Sequence, residues 1–190
     1  TGTYRTFSYL TFEFESVKSD PNAGWTSKGM VAYTEDIMAS VFKYPEVCTY
    51  SVEIQESDDT PGLYRLVNPY KSAWPYWDAY QDMSNGKDNY LVVNATDPTA
   101  VYIERSPMNY ILEGDALVIS SYAYELLIND DATLAQLKAN GYCGTMVDGK
   151  ITMPASNATS KKGPILWVGE EGFYYANSNG KFCIDFNGAG

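Results

Sequence analysis

Short segments in which apolar and polar residues alternate at every position dominate this chain. Residues 12–15 (Phe-Glu-Phe-Glu) and residues 50–55 (Tyr-Ser-Val-Glu-Ile-Gln) show the pattern most clearly. Because successive side chains of a strand point to opposite faces, this alternation is typical of β-strands with one buried and one solvated face. Further strand-like segments, rich in Val, Ile, Tyr and Phe and bounded by turn residues, are residues 63–67, 90–94, 101–104, 116–121, 165–168, 173–176 and 182–186.

Two dipeptides have the composition of tight hairpin turns, which require positive φ angles. Asp148 and Gly149 separate two strand-like segments, and Asn179 and Gly180 separate two more. Each dipeptide therefore predicts a hairpin between the strands on either side of it.

Helix signals are few. Thr34, followed by two acids, predicts the N-cap of a short helix that runs to Phe42. Asp130 or Asp131 predicts the N-cap of a second helix over residues 132–139, which Asn140 and Gly141 would end.

The fold class that these patterns predict is mostly β: an antiparallel sandwich or partly closed barrel with one or two short helices. The length of 190 residues predicts a single β-rich domain over residues 1–190. Two small β subdomains that meet near residues 105–130 are the alternative.

The charge balance restricts the partners. The chain carries a formal net charge of −11, with 13 basic and 24 acidic residues. A protein that binds phosphates or an anionic membrane surface presents a basic stripe, whereas Lys161 and Lys162 form the one adjacent basic pair of this sequence. We therefore expect no nucleic-acid partner. The apolar runs fall far short of the roughly 20 residues of a membrane helix, so we expect no membrane span.

Histidine is absent from the sequence. This excludes Ser-His-Asp and Cys-His catalysis, the HExxH zinc site and a His general base. The sequence also lacks the GxSxG, P-loop and dinucleotide-binding motifs. It predicts no cofactor and a non-catalytic role. A glycosidase built on two carboxylates stays open, because such an enzyme needs no histidine.

The three cysteines have no metal-ligand spacing. One interpretation is three buried thiols that behave as small apolar side chains. The other is one disulfide between Cys143 and Cys183, because both lie on predicted C-terminal strands.

The longest predicted loop, residues 70–89, holds a dense group of aromatic residues. The candidate ligand-binding residues there are Trp74, Tyr76, Trp77, Asp78 and Tyr80. Exposed rings pack on the C–H faces of a sugar, while neighbouring carboxylates and amides bond its hydroxyl groups. In the alternative, both Trp side chains fold back over the end of the β core.

The same loop contains the calcium candidates Asp78, Asp82 and Asp88. Calcium takes oxygen ligands, but these residues do not have EF-hand spacing. Acids in loops commonly solvate turns or cap helices, and the prediction is therefore no metal site.

Several segments resemble a group of uncharacterised, secreted or lipid-anchored surface proteins of gut-dwelling Gram-negative bacteria. The most specific one is Pro-Gly-Leu-Tyr-Arg-Leu-Val-Asn-Pro-Tyr at residues 61–70. The others are residues 24–29, 33–36, 50–56, 94–98, 101–104, 148–154 and 175–182. The resemblance implies an extracytoplasmic location, at the cell surface or secreted, and brings no catalytic or binding residues with it.

The leading functional hypothesis is an extracytoplasmic, non-catalytic surface-protein domain that acts in adhesion or recognition. Its partner would be carbohydrate, bound through the aromatic and acidic loop, or another surface protein. The first alternative is a structural or assembly module of a cell-surface protein with no small ligand. The second is a carboxylate-based glycoside hydrolase.

Overall fold

Two antiparallel β-sheets form the fold, which is described by a computed structural model over residues 19–170 and 172–188. The strand predicted at residues 12–15 lies outside these ranges. The strands are β1 (Trp25–Glu35), β2 (Cys48–Ser57), β3 (Leu63–Val67), β4 (Tyr90–Asn94), β5 (Tyr102–Ile103), β6 (Ser106–Leu112), β7 (Asp115–Ser121), β8 (Thr145–Val147), β9 (Lys150–Thr152), β10 (Pro164–Val168), β11 (Phe173–Tyr175) and β12 (Cys183–Asp185). The helices are α1 (Met38–Val41), α2 (Trp77–Tyr80), α3 (Tyr122–Asn129) and α4 (Leu134–Ala139), with a 3-10 helix at Gln81–Met83.

The larger sheet has eight strands in the order β5-β4-β3-β2-β1-β12-β9-β8. Its two ends meet, because Val101 and Gly144 exchange backbone hydrogen bonds of 2.9 and 2.8 Å beside the edge strands β5 and β8. The sheet is therefore curled into a partly closed barrel.

The smaller sheet has four strands in the order β11-β10-β7-β6. Its inner face, which includes Leu117, Ile119 and Leu166, shares one hydrophobic core with the inner face of the larger sheet. Alternation along the strands produces this arrangement, since every second side chain of a strand points to the same face.

The predicted fold class is confirmed: the described chain is mostly antiparallel β in a partly closed barrel form. It has four short α-helices where one or two were predicted. The N-caps also differ. Ile37, not Thr34, precedes α1. Thr133, not Asp130 or Asp131, caps α4 through a capping box with Gln136. None of the described helices has the length and apolar character needed to cross a membrane.

One predicted hairpin is confirmed and the other is wrong. Asp148 and Gly149 have φ angles of 50° and 72° and join β8 to β9, which pair directly. The strands on either side of Asn179 and Gly180 belong to different sheets. The buried Asp36 carboxylate holds this connection, since it accepts from the Asn179 amide at 2.8 Å and from the Lys181 backbone at 2.9 Å.

The predicted disulfide between Cys143 and Cys183 is also wrong, because the cysteines are free thiols. Cys183 on β12 lies opposite Thr152 of β9, and β8, which follows Cys143, lies on the far side of β9. A strand of the sheet thus lies between Cys183 and the strand that follows Cys143. The three thiols are half-buried, not fully buried as the other interpretation predicted.

Candidate functional site: an aromatic cluster and the adjoining cleft

The predicted loop at residues 70–89 is a folded segment that contains α2 and the 3-10 helix. Its two ends are tied together by Asn89, whose buried side chain accepts from the Tyr70 backbone N–H at 3.1 Å and donates to the Tyr70 carbonyl at 3.4 Å. A long connection that folds on itself in this way holds its side chains in fixed positions.

Trp74 lies at the centre of this segment and is 3% exposed. Five Tyr rings surround its indole with centroid distances of 5.3 to 6.2 Å. We call this group the Trp74 cluster: Trp74, Tyr44, Tyr70, Tyr76, Tyr80 and Tyr110. Tyr80 is stacked on the indole and the other four rings are tilted or edge-to-face, and aromatic quadrupoles favour offset-stacked and edge-to-face pairs.

A chain of buried hydroxyl groups connects the Trp74 cluster to the start of α1. The Tyr70 hydroxyl donates to Glu35 Oε1 at 3.0 Å and lies 2.9 Å from the Tyr33 hydroxyl. Glu35 also accepts from three backbone N–H groups at 2.6 to 3.1 Å. Burial raises the pKa of Glu35 to about 7, although these hydrogen bonds act in the opposite direction.

The predicted ligand-binding residues are therefore not equivalent. Trp74 is enclosed and presents no free ring face, as the alternative interpretation predicted. Tyr76, Trp77 and Tyr80 are half-buried and pack against the core. Asp78 is exposed on the first turn of α2. The segment thus brings the rings together, but it leaves the carboxylate outside the cluster.

The calcium candidates do not form a cation site. Asp78, Asp82 and Asp88 are all exposed, and Asp88 is occupied by an ion pair with the Lys71 ammonium at 3.1 Å. Within residues 19–170 and 172–188, no three Cys, Asp or Glu side chains are arranged to hold a metal ion.

The aromatic surface continues into a cleft of about 690 Å³ beside Phe42. The Phe42 ring lies 6.2 Å from Tyr80 and 6.0 Å from Tyr44, so it adjoins the Trp74 cluster. On the other side of the cleft are Phe173 and Tyr174 of β11, and Tyr174 is 58% exposed. We call this site the Phe42 cleft.

Two carboxylates stand at the rim of the Phe42 cleft. Glu113 and Asp115 line it from the turn between β6 and β7. Glu113 and Gly114 both have positive φ angles, 52° and 94°, which is the geometry of a type I′ hairpin turn. No Lys or Arg is among the described residues that line the cleft. Its electrostatics therefore favour neutral or cationic ligands with hydroxyl or amine donors.

Sequence reasoning missed the residues of this cleft. Phe42, Glu113 and Tyr174 come from three distant parts of the chain, and nothing in their local patterns connects them. One signal was available, because Glu113 and Gly114 occupy a short break between two strands, as a hairpin turn does.

The chain matches no protein-family model, no curated protein and no solved structure.

Proposed function

We propose that this chain is a non-catalytic, extracytoplasmic surface-protein domain that binds neutral carbohydrate in the Phe42 cleft. The single observation that carries the proposal is the combination, in one cleft, of the Phe42 ring and the exposed Tyr174 ring with the Glu113 and Asp115 carboxylates. The resemblance of residues 61–70 to bacterial surface proteins supports the location.

The chemistry of the cleft fits a pyranose. Tyr174 offers a largely exposed ring on which the C–H face of a sugar packs. Glu113 and Asp115 accept hydrogen bonds from hydroxyl groups, and charge-assisted bonds of this kind are stronger than neutral ones. The volume of about 690 Å³ lies within the usual range of small-molecule sites, roughly 300–1,000 Å³.

Affinity electrophoresis in gels that contain neutral plant, host or microbial polysaccharides tests the proposal. The expected result is retardation of the wild-type chain by at least one polysaccharide. Tyr174→Ala and Glu113→Gln should each weaken the retardation about tenfold, as expected for the loss of a ring contact or a charge-assisted hydrogen bond.

Ile128→Ala is the matched control, since Ile128 is also about half exposed but lies on α3, away from the cleft. Its retardation should equal that of the wild type. All three variants should unfold within about 2 °C of the wild type, because exposed substitutions change stability little. A wild-type chain that passes every gel without retardation would contradict the proposal and favour the structural module.

The presence of two carboxylates in one cleft also favours a second candidate function, that of a glycoside hydrolase. Release of reducing sugar from the retarding polysaccharide, abolished by Glu113→Gln or by Asp115→Asn, would identify that activity. Retardation without release identifies the non-catalytic binding domain.

A further inference from the structure

Both arginines of the described chain line a second cleft, of about 410 Å³. This cleft lies where β4 of the larger sheet faces β6 of the smaller one. Arg65 and Arg105 share its wall with Trp25, Tyr90 and Asn109. In a chain of net charge −11, both arginines of the described residues thus lie at one cleft.

Arg65 is fixed in place. Its guanidinium carbon lies 4.4 Å from the Trp25 ring centroid and 4.0 Å from the Tyr90 ring centroid. Nε donates to the Gln55 side chain at 2.8 Å, and one terminal nitrogen donates to the Pro21 carbonyl at 2.7 Å. The planar group is therefore held on both faces and along one edge before any ligand arrives.

Arg65 is also buried without a counter-ion. The residue is 8% exposed, and no carboxylate forms an ion pair with it in the described part of the chain. Glu53 acts on it electrostatically without pairing, and desolvation lowers the pKa of the guanidinium. Buried arginines are ordinarily paired, because an unpaired charge loses its hydration without compensation.

The other charges of the cleft are already paired. Arg105 holds Glu125 in a bidentate contact of 2.9 and 2.6 Å, and its side chain is 50% exposed. Asp88, the acid that lines the cleft, pairs with Lys71. Among the described residues, Arg65 is thus the cation of the cleft that has no paired anion.

We propose that this site, the Arg65 cleft, binds the carboxylate of an acidic sugar of the uronic acid class. The carboxylate supplies the counter-ion that Arg65 lacks, through hydrogen bonds to the remaining N–H donors of the guanidinium. Trp25 and Tyr90 offer apolar surface to the sugar ring, and the Asn109 amide offers polar groups to its hydroxyls. The site is separate from the Phe42 cleft. It takes an anionic ligand, whereas the Phe42 cleft favours neutral or cationic ligands.

Isothermal titration of the wild-type chain with two matched probes tests the proposal without any variant. The probes are the trimer of galacturonic acid and its methyl ester, which keeps the rings and removes the charge. The acid should bind at least about tenfold more tightly than the ester, since the ester loses a charge-assisted contact. The indole resonance of Trp25 should shift as the acid binds.

Arg65→Lys and Arg105→Lys provide the variant test. Lysine keeps the positive charge but loses the planar fork, so Arg65→Lys should weaken acid binding about tenfold or more. Arg105→Lys should bind the acid nearly as the wild type does, because Arg105 is already engaged by Glu125. Thermal unfolding shows whether each variant is folded. If Arg65→Lys does not fold, the wild-type titrations with acid and ester, together with the Trp25 resonance, test the proposal on their own.

Equal affinity for acid and ester, no binding of the acid, or acid binding that a folded Arg65→Lys retains would each overturn the proposal. Preference for triglutamate over the uronate would overturn it in favour of an acidic peptide. Tyr174→Ala should not change uronate binding, and Arg65→Lys should not change retardation by neutral polysaccharides. The two proposals can therefore fail independently.

Discussion

Among single residues, Trp74 and Tyr174 are aromatic side chains in opposite environments. Trp74 is enclosed by five Tyr rings, whereas Tyr174 extends from a strand into the Phe42 cleft. Trp74→Ala should lower the free energy of unfolding by about 3–5 kcal/mol, the usual cost of removing a buried indole. Tyr174→Ala should change it by less than about 0.5 kcal/mol. Urea titration followed by circular dichroism measures both. Equal stability of the two variants would show that Trp74 is not packed as described.

Two tyrosines of the Trp74 cluster differ in what their hydroxyl groups contact. The Tyr44 hydroxyl is buried and has no hydrogen-bond partner among the described residues, whereas the Tyr70 hydroxyl bonds to Glu35 and Tyr33. Tyr44→Phe should leave stability unchanged or raise it by up to about 1 kcal/mol, because it removes a hydroxyl that loses its hydration on folding without gaining a hydrogen bond.

Tyr70→Phe is the matched comparison for Tyr44→Phe. It should lower stability by about 1–3 kcal/mol, because it leaves buried partners without a hydrogen bond. Thermal and urea unfolding of the pair give the two values. A Tyr44→Phe variant that is the less stable of the two contradicts the assignment of its hydroxyl as unpaired.

Glu35 gives stability a dependence on pH. Its pKa is raised in the folded chain from the ordinary value of 4.5 to about 7, chiefly by burial. A raised pKa means that the folded state binds the proton more tightly than the unfolded state. The contribution of Glu35 is therefore full below about pH 4.5 and is lost as the pH rises to about 7, by about 3 kcal/mol at most.

Unfolding free energies at pH 5 and pH 8 measure this effect. The wild type should lose stability over the interval, and Glu35→Gln should lose less, because its amide does not titrate. Glu46→Gln, at an exposed position, should keep the wild-type dependence. The same pH dependence in Glu35→Gln as in the wild type would assign the effect to another group.

Among the elements, α4 is a short helix whose beginning is well defined. Thr133 Oγ1 accepts from the Gln136 backbone at 3.2 Å, and the Gln136 side chain accepts from the Thr133 backbone at 3.0 Å. Thr133→Ala should cost about 1 kcal/mol, the usual value of an N-cap. Thr60→Ala, in an exposed loop, should cost almost nothing. Melting temperatures from calorimetry compare the two, and equal values would mean that the capping box contributes no stability.

The elements also show what the sequence could predict. The strand-like composition located β3 and β4 at their observed bounds. In β4 buried and half-buried residues alternate as the pattern predicts, whereas in β3 the neighbouring residues Arg65 and Leu66 are both buried. The helix α3 was missed, since Tyr122 follows β7 without a break and its first residues favour strands as much as helices. Asn179 was misread as part of a hairpin turn. Local turn composition could not show that buried Asp36, far away in the sequence, holds that segment.

Across the whole molecule, Gly144 is placed where the ends of the larger sheet meet. A Cβ atom added there would clash with the Thr152 carbonyl oxygen, so Gly144→Ala must displace β9 or open the contact with Val101. We expect a loss of about 1–3 kcal/mol, as for other overpacked sites. Gly172→Ala is the control, because a Cβ atom there meets open space. Urea unfolding compares the variants, and unchanged stability of Gly144→Ala would show that Gly144 does not lie closely against Thr152.

The Phe42 cleft could not be predicted from the sequence, because only the folded molecule assembles it. Its rings and carboxylates come from the residue after α1, from β11 and from the β6–β7 hairpin, which only the packing of the two sheets brings together. The aromatic loop, by contrast, was visible as one continuous segment. Its central ring proved to be a packing residue, because local composition does not report burial.

The position of β12 between β1 and β9 has a consequence for the order of folding. Tyr33 of β1 lies opposite Ile184 of β12. Two strands that are separated by about 150 residues pair slowly, because the conformational entropy of the intervening chain is lost before the contacts form. Until residues 183–185 have been synthesised, β1 and β9 each lack the partner strand that β12 provides in the described fold. A nascent chain would therefore expose two unpaired strand edges, which are sites where other chains add strands. Protection of those edges before β12 arrives is what productive folding of this protein requires.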